Sequence, residues 1–419
     1  MFFAGNSAAG PTRGRLLKLL SLLFLAGVAM RMTILAMPPV IPLVHDELHM
    51  SETQVGLLIG LPLALFAIAA IPGSMLIARI GINLAIIVGM TIAALASGAR
   101  GAAVDVSTLY AASIVTGLGV AIMQPGMPTL VRQWLPGRIA LGTIAYTAGM
   151  LIGSTASSAL TIPYVLPLLR GSWRLDLIFW SIPAVIVVPI FYLFGPGRDE
   201  KEGGEPAIGG RWWPDFRNPL VWLLGFALGG NNSSFFSANA FLGDYLVSLG
   251  KTDLLGPALA WLNGLQMAAP FLLLLMANRF ERRAWPFLLF GPMLLASFLI
   301  IILVPTSLGI LVAAAFVGFT TAMTFPAILA LPALLSAPGD VSRTSAGMFT
   351  VSYTCAIVIP TISGALWDMT GRPWTAFLPL CVCAIGLTVF GAMVAQQRPA
   401  DRMIAPITKQ ASQGREESR

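Results

Sequence analysis

The sequence predicts an all-α membrane protein, with twelve transmembrane helices in two pseudo-symmetric six-helix bundles. Three observations lead to this fold class: the composition, the number of long apolar segments and an internal repeat. Of 419 residues, 57% are hydrophobic and only 10% are charged, and the mean hydropathy is +0.83. Soluble domains carry roughly 25% charged residues, so the composition excludes a soluble globular protein.

Twelve apolar segments are each long enough to cross a bilayer, for which about 20 residues suffice. They cover 16–42, 53–78, 83–100, 108–132, 138–165, 175–194, 219–242, 256–278, 285–304, 309–334, 344–366 and 374–395. The long polar connector lies between the sixth and seventh. The expected organisation is therefore a tail at 1–15, a first bundle at 16–194, a central loop at 195–218, a second bundle at 219–395 and a tail at 396–419.

Matching residues recur at an offset near 200 positions. Arg79 follows the second span and Arg279 follows the eighth, while Gln124 and Thr324 each lie just before a proline in the fourth and tenth spans. Several matches at one offset indicate two homologous halves. Parallel repeats of this kind place the solute site between the halves, near the bilayer midplane.

The basic residues predict the orientation. Of 25 Lys and Arg, nineteen lie on the side of the two termini, and five lie opposite: Arg100, Arg170, Arg174, Lys251 and Arg372. Short cytoplasmic loops are enriched in basic residues, so both termini are expected in the cytoplasm and the protein in the inner (plasma) membrane. This asymmetry accounts for the net charge of +7 without a nucleic-acid partner.

Arg31 is the one basic residue assigned to the hydrocarbon region, near the middle of the first span. An arginine at a helix centre costs on the order of 2.5 to 3.5 kcal/mol, and such residues usually face a cavity or a partner. The planar guanidinium carries five donors suited to carboxylates and oxyanions. Arg31 is therefore a candidate anion anchor; the alternative is a structural arginine held by helix carbonyls.

A polar patch in the seventh span gives further candidates. Asn231 occupies the position equivalent to Arg31, and Asn232, Phe236 and Asn239 share one helix face. The patch is interpreted as a solute-facing surface, or alternatively as hydrogen-bonded contacts between helices. The weaker candidates, for which packing is the alternative, are Gln124, Thr324, Asn263, Gln266, Tyr146 and Tyr353.

No enzyme motif accompanies these residues: the sequence has no phosphate-binding glycine loop, no zinc-protease helix and no nucleophile elbow. Its three cysteines lie in apolar runs, and His45 and His49 lie in the first external loop, where they are expected to be solvated. No catalytic residue, metal or cofactor is predicted. The expected partners are a small solute, expected to be anionic, and the lipid bilayer, and the protein is expected to be a monomer.

All 18 acidic residues are placed in connectors or at span ends, with Asp46, Asp244 and Asp368 nearest to the spans. Proton-coupled carriers commonly use intramembrane carboxyl or histidine relays. The placement therefore indicates no protein-borne proton site at the midplane. An inside-negative potential drives a monovalent anion outward, by about 2.3 kcal/mol per 100 mV. The expectation is export or exchange of an anion, or uptake of a protonated acid.

Twelve spans in two halves, with a basic turn after the second and eighth, resemble the major facilitator superfamily. The turn 74–81, which includes Arg79 and Gly81, resembles that superfamily's loop between helices two and three, with Ala78 in place of its usual aspartate. Together with Arg279, these residues are implied to form a conformational loop. The closest resemblance is to the cyanate permease and nitroimidazole transporter family. The residues that carry it are Arg31, Met127-Pro128, Trp134-Leu135-Pro136, Ser172-Trp173-Arg174, Tyr353, Pro360, Gly364, Asp368, Thr370-Gly371 and Trp374.

The chain departs from that family pattern at Met30 and Met32 beside the helix-one arginine, and at Phe349 and Ser352 before the helix-eleven tyrosine. The predicted function is a secondary transporter that moves a small anionic or weakly acidic organic solute by alternating access. One alternative is an exporter of neutral or amphipathic drug-like compounds, with Arg31 structural. Another is a non-transporting membrane sensor or scaffold.

The distribution of basic residues gives a topology test. In intact cells, a cysteine introduced by Gly203→Cys in the central loop should resist an impermeant thiol reagent, and one introduced by Asp253→Cys should react, because positively charged loops stay in the cytoplasm. Labelling in the reverse pattern would invert the orientation.

Overall fold

Helices account for all the regular structure in the computed structural model, which describes residues 13–68, 76, 79–135, 138–196, 214–273, 285–336 and 341–396. In chain order the α-helices are α1 Arg13–Leu35, α2 Ile41–Leu48, α3 Glu52–Ile68, α4 Ile82–Ala99, α5 Val106–Trp134, α6 Ile139–Leu160, α7 Leu166–Leu168, α8 Trp173–Phe194, α9 Pro219–Ser248, α10 Leu255–Gly264, α11 Trp285–Leu303, α12 Ser307–Leu335, α13 Val341–Thr370 and α14 Leu378–Gln396. Helical structure lies at each of the twelve predicted spans, and the all-α fold class is confirmed.

Nine helical runs among the described residues are long and apolar enough to cross a membrane. The helix α9 is not among them, although it has 30 residues. Its sequence holds the predicted polar patch, which lowers its hydropathy. A polar helix of this length inside an apolar bundle places hydrogen-bonding groups where lipid cannot reach them.

The first span is broken, whereas the sequence predicts one continuous helix over 16–42. Helix α1 ends at Leu35, and a 3-10 turn at Pro38–Val40 precedes α2. Prolines lack the backbone N–H that an α-helix needs at these positions. Near the break, the carbonyl oxygen of Thr33 accepts hydrogen bonds from Arg100 Nη2 and Ser97 Oγ. The break therefore follows Arg31 by about one turn of helix and is held by the third span.

The two halves of the chain pack tightly at one end of the bundle. We call the face at which α1 begins the terminal face, and the opposite face the distal face. There α3 lies along α13. A Cβ atom on Gly364 would lie 2.1 Å from the carbonyl oxygen of Glu52, and one on Gly56 would lie 2.3 Å from that of Pro360. Only glycine permits this approach of the two backbones, which closes the distal face.

Asp368 stabilises the same contact between α13 and α3. Its carboxylate, at the end of α13, accepts hydrogen bonds from the backbone N–H groups of Glu52 at 2.9 Å and Thr53 at 2.8 Å. These groups open α3, so the negative charge also meets the positive end of the helix dipole. One carboxylate from the second half thus caps a helix of the first half.

Replacing Gly364 by leucine should force the halves apart at the distal face, because its side chain would overlap the Glu52 backbone. The separation can be measured by electron–electron resonance between spin labels at Val104→Cys and Leu308→Cys, positions that are 77% and 73% exposed, with the native cysteines replaced by alanine. We expect the distance distribution to shift to longer values. Gly14→Leu is the control, since a Cβ there meets no atom of the described residues within 4 Å. An unchanged distribution in folded Gly364→Leu would contradict this packing.

Candidate functional site

Arg31 lies between the two halves of the protein. Its guanidinium carbon is 5.1 Å from the ring centroid of Phe236 and 5.5 Å from that of Phe235, both on α9 in the opposite half. Cations are attracted to aromatic faces at this range. The side chain is half-buried, and its guanidinium makes no hydrogen bond or ion pair within the part of the chain that the structure describes. Its donors are therefore available to a solute.

Tyr353 of α13 supplies a second donor near Arg31. The hydroxyl oxygen of Tyr353 accepts a hydrogen bond from Gln124 Nε2 at 2.8 Å, which joins the fourth span to the eleventh. No described acceptor takes the hydroxyl hydrogen, so it can point to a bound anion. The tyrosine ring packs edge-on against Phe66 at 5.1 Å and stacks on Phe349 at 5.9 Å. Sequence reasoning gave Gln124 and Tyr353 as separate weak candidates, and the fold brings them together.

The amides of α9 turn mainly toward neighbouring helices. Asn231 donates to the Thr321 carbonyl at 3.3 Å and accepts from Thr324 Oγ1 at 2.6 Å. Asn232 donates to Ser352 Oγ at 3.0 Å. These bonds tie α9 to α12 and α13. Among the described contacts they fit the alternative of helix-to-helix bonding, and Phe236 is the member of the patch that meets Arg31.

Asn239, Asn263 and Gln266 form a buried polar chain. Asn263 Nδ2 donates to Asn239 Oδ1 at 2.8 Å, and Gln266 Nε2 donates to Asn263 Oδ1 at 3.3 Å. Gln266 also donates to Ser154 Oγ at 3.2 Å across the interface of the halves. Tyr146 contributes backbone contact, since its carbonyl oxygen would lie 2.1 Å from a Cβ on Gly27. These candidates hold helices together.

Two residues of the predicted conformational loop are described. Arg79 is exposed, and Gly81 has φ +82° directly before α4. This left-handed backbone conformation favours glycine, which explains the residue type at the turn. Arg279 lies outside the described residues.

A cluster of titratable groups lies beyond the predicted span ends at the distal face. His45 Nδ1 is 3.1 Å from Asp244 Oδ2 and 3.7 Å from Glu52 Oε1. Asp244 belongs to the second half and the other two to the first, so the cluster spans the closed face together with Asp368. Glu52 is 6% exposed, and its Oε2 atom has no hydrogen-bond partner among the described residues.

The environment shifts the pKa values of this distal cluster. The hydrogen bond to Asp244 raises the pKa of His45 above its usual value, against an opposing effect of burial. Burial, reinforced by the nearby charge of Asp244, raises the pKa of Glu52 to about 8. Burial also acts on Asp368, but hydrogen bonds from Thr53 and from the α3 backbone outweigh it and lower its pKa. Closing the distal face therefore favours proton binding by Glu52 and His45.

The sequence did not predict that several charged residues near the span ends are buried. Arg100, assigned to a connector, is 2% exposed. Glu52, Asp176 and Asp244, assigned to connectors or span ends, are also buried. The expectation that His45 is solvated was wrong, because it is half-buried in the distal cluster. The sequence contains one indication that Arg100 is buried, because small apolar residues flank it on both sides. It contains no such indication for Glu52, whose neighbours in the structure come from distant parts of the chain.

The chain is similar to several known transport proteins. The chain is 24% identical to the cyanate transport protein of Escherichia coli over 88% of its own length and 95% of that protein. It is 24% identical to the 2-nitroimidazole transporter of the same organism, over 62% of this chain and 65% of the relative. The solved structure of a D-xylose-proton symporter matches with a TM-score of 0.69 at 13% identity, covering 92% of this chain and 98% of that one.

The predicted resemblance is confirmed, and the relatives are membrane transporters rather than enzymes. The family model for the Major Facilitator Superfamily matches residues 19–336, which is most of the chain and includes Arg31 and α9. With helical structure at all twelve predicted spans, this chain belongs to the major facilitator superfamily and is a multi-pass secondary transporter of a small solute.

Proposed function

We propose that this transporter moves a small anionic or weakly acidic organic solute by alternating access, and that Arg31 binds the anionic group. The observation that carries the proposal is the guanidinium of Arg31. It lies at the interface of the halves, contacts two aromatic rings, and has no partner among the described residues.

The electrostatics of the site favour an anion. A charged side chain inside the membrane usually pairs with another charge, a backbone carbonyl or a cavity. Within the described structure no carboxylate lies within 4 Å of Arg31. A solute carboxylate or cyanate would supply the missing charge and accept a hydrogen bond from the Tyr353 hydroxyl. A carboxylate would also accept two parallel N–H···O bonds from the guanidinium fork. The rings of Phe235 and Phe236 exclude water from the pair and so strengthen it.

The relatives support the same solute class. The 24% identical cyanate transport protein is named for a small anion. The 2-nitroimidazole transporter is named for an aromatic compound that needs no cationic partner. The four aromatic rings around Arg31 and Tyr353 suit such a compound as well. An exporter of neutral aromatic compounds is therefore the second candidate function.

We infer from the basic residues that the terminal face is cytoplasmic. On that orientation the closed distal face is external. The cycle then requires the contacts of Gly56, Gly364 and Asp368 to separate, so that solute can exchange with Arg31 from the outside. A monovalent anion is driven outward by the membrane potential, so export, exchange, or uptake as the protonated acid is the proposed direction.

Arg31 variants test the proposal. Arg31→Lys keeps the charge but loses the planar fork, so we expect the KM for the transported anion to rise about tenfold, equivalent to about 1.4 kcal/mol. Arg31→Ala should abolish transport of cyanate and small carboxylates in proteoliposomes. Arg13→Ala, an exposed arginine of the same helix, is the control. Normal anion transport by folded Arg31→Ala would reject the anion site, and retained transport of 2-nitroimidazole alone would favour the second candidate function.

The distal cluster predicts that the closed distal face is favoured in acid. Glu52 and His45 both have raised pKa values when the face is closed. Proton binding by these residues therefore stabilises the closed face, and this stabilisation is fully present at pH values below their open-state pKa values. For Glu52 it is lost as pH rises from its usual range near 4.5 to about 8. Asp368, whose pKa is lowered, contributes above its usual range, so it does not offset this change at neutral pH.

Spin labels at Val104→Cys and Leu308→Cys should therefore report longer distances at pH 8.5 than at pH 5.5. The Glu52→Gln variant cannot lose a proton at this position. In this variant the pH dependence of the distance should therefore shrink to the part that His45 contributes. Glu47→Gln is the matched control, because Glu47 is exposed and pairs with Arg174 within the first half. Distances that lengthen in acid, or a Glu52→Gln profile identical to wild type, would contradict the assignment.

A further inference from the structure

Arg100 is a second buried guanidinium without a carboxylate partner among the described residues. It begins a 3-10 turn at the distal end of α4 and is 2% exposed. Its Nη2 donates to the Thr33 carbonyl and, at 2.6 Å, to Ser97 Oγ, and its Nε donates to the Ser97 carbonyl at 3.5 Å. These partners are neutral, so they hold the side chain in place and leave its charge uncompensated.

The guanidinium of Arg100 lines a small cavity between the two halves. The first half contributes Arg100, Ser113 and Thr116 to its walls, and α9 of the second half contributes Phe236 and Asn239. Because the walls come from both halves, separating the halves widens the cavity. Phe236 also contacts Arg31, so this ring forms part of both sites.

Ser113 adds an independent sign of a ligand. It is 1% exposed, and its Oγ atom is buried without a hydrogen-bond partner among the described residues. Leaving a buried hydroxyl unpaired costs about 1–3 kcal/mol. The neighbouring Thr116 hydroxyl is used, since it donates to the Ala112 carbonyl at 2.8 Å. The Ser113 hydroxyl therefore remains free to donate to a group held by Arg100.

We propose that Arg100 and Ser113 form a second anion site on the distal side of Phe236, which a small carboxylate or a cyanate-like anion occupies on its way between the distal face and Arg31. This inference rests on the proposed function, because it takes the solute to be an anion. Phe236 contacts Arg31 and also lines the Arg100 cavity, so the anion has two binding positions next to the same ring along the path.

The test measures the KM for radiolabelled cyanate and acetate at each face separately, using the full chain in intact cells and in inside-out vesicles. Arg100→Gln keeps hydrogen-bond donors for the Thr33 carbonyl but removes the charge. We expect it to raise the KM for entry from the distal face about tenfold, and Ser113→Ala to raise it about threefold. The KM from the terminal face should stay within about twofold of wild type, because Arg31 is the first anchor met from that side.

Two controls separate binding from structure. Arg100→Lys keeps the charge and should retain most of the affinity from the distal face. Ser158→Ala removes another buried hydroxyl that has no hydrogen-bond partner within the described part of the chain. This hydroxyl lies outside the cavity, so both KM values should stay unchanged. Thermal unfolding of every variant identifies loss of folding.

The results distinguish this inference from the proposed function. Equal KM changes at both faces, no change, or a Ser113→Ala effect no larger than that of Ser158→Ala would overturn the Arg100 site while leaving Arg31 in place. Normal transport by Arg31→Ala with a one-sided effect of Arg100→Gln would reject the central site only. If the wild-type protein carries neither anion, both fail.

Discussion

The proposed transport cycle depends on a guanidinium that no described carboxylate of the protein neutralises. Arg31 is positioned by α1, which ends at Leu35, about one turn of helix beyond it. The described residues of the opposite half place aromatic faces rather than a counter-ion beside it. Such faces stabilise a cation far less than a paired carboxylate does. On the proposed function, a bound anion supplies the remaining stabilisation, and its binding is thereby coupled to the approach of the two halves.

The contacts at the distal face have a different role, which is to hold the two helix bundles together reversibly. Gly364 and Gly56 let α13 and α3 meet at backbone distance, and Asp368 caps α3 across the interface. Neither contact is covalent, so both can be broken during a transport cycle. Burial of the charged Glu52 carboxylate opposes closure, and binding of a proton removes this opposition. Acidity at the distal face and the proposed solute binding thus act on the same conformational equilibrium through different residues.

The depth of a residue in a helix could be read from the sequence, and its partners in other helices could not. Arg31 and the repeat identified the interface because an arginine within an apolar run has few positions open to it. Phe236 was found because helical spacing places it on one face with Asn232 and Asn239, yet the amides themselves bond to other helices.

The burial of Arg100 and Glu52 was not predicted, because the residues that cover them lie far away in the sequence. Burial of Arg100 depends on the carbonyl of Thr33, 67 positions away, and the contact between Glu52 and Asp368 joins residues 316 positions apart. Relative tilt and register of helices decide such contacts, and hydropathy carries no information on either. The Gln124 and Tyr353 pair, 229 positions apart, was missed as a pair for the same reason.

The most direct measurement is the structure of the protein with 4-bromobenzoate, a carboxylate whose aryl bromine does not react with thiols and can be located by anomalous scattering. We expect a bromine signal at the interface of the halves, with the carboxylate within hydrogen-bond distance of the Arg31 guanidinium and the Tyr353 hydroxyl. The signal should disappear in Arg31→Ala. An Arg31 guanidinium paired with a protein carboxylate, or a 4-bromobenzoate bound only away from it, would contradict the anion site.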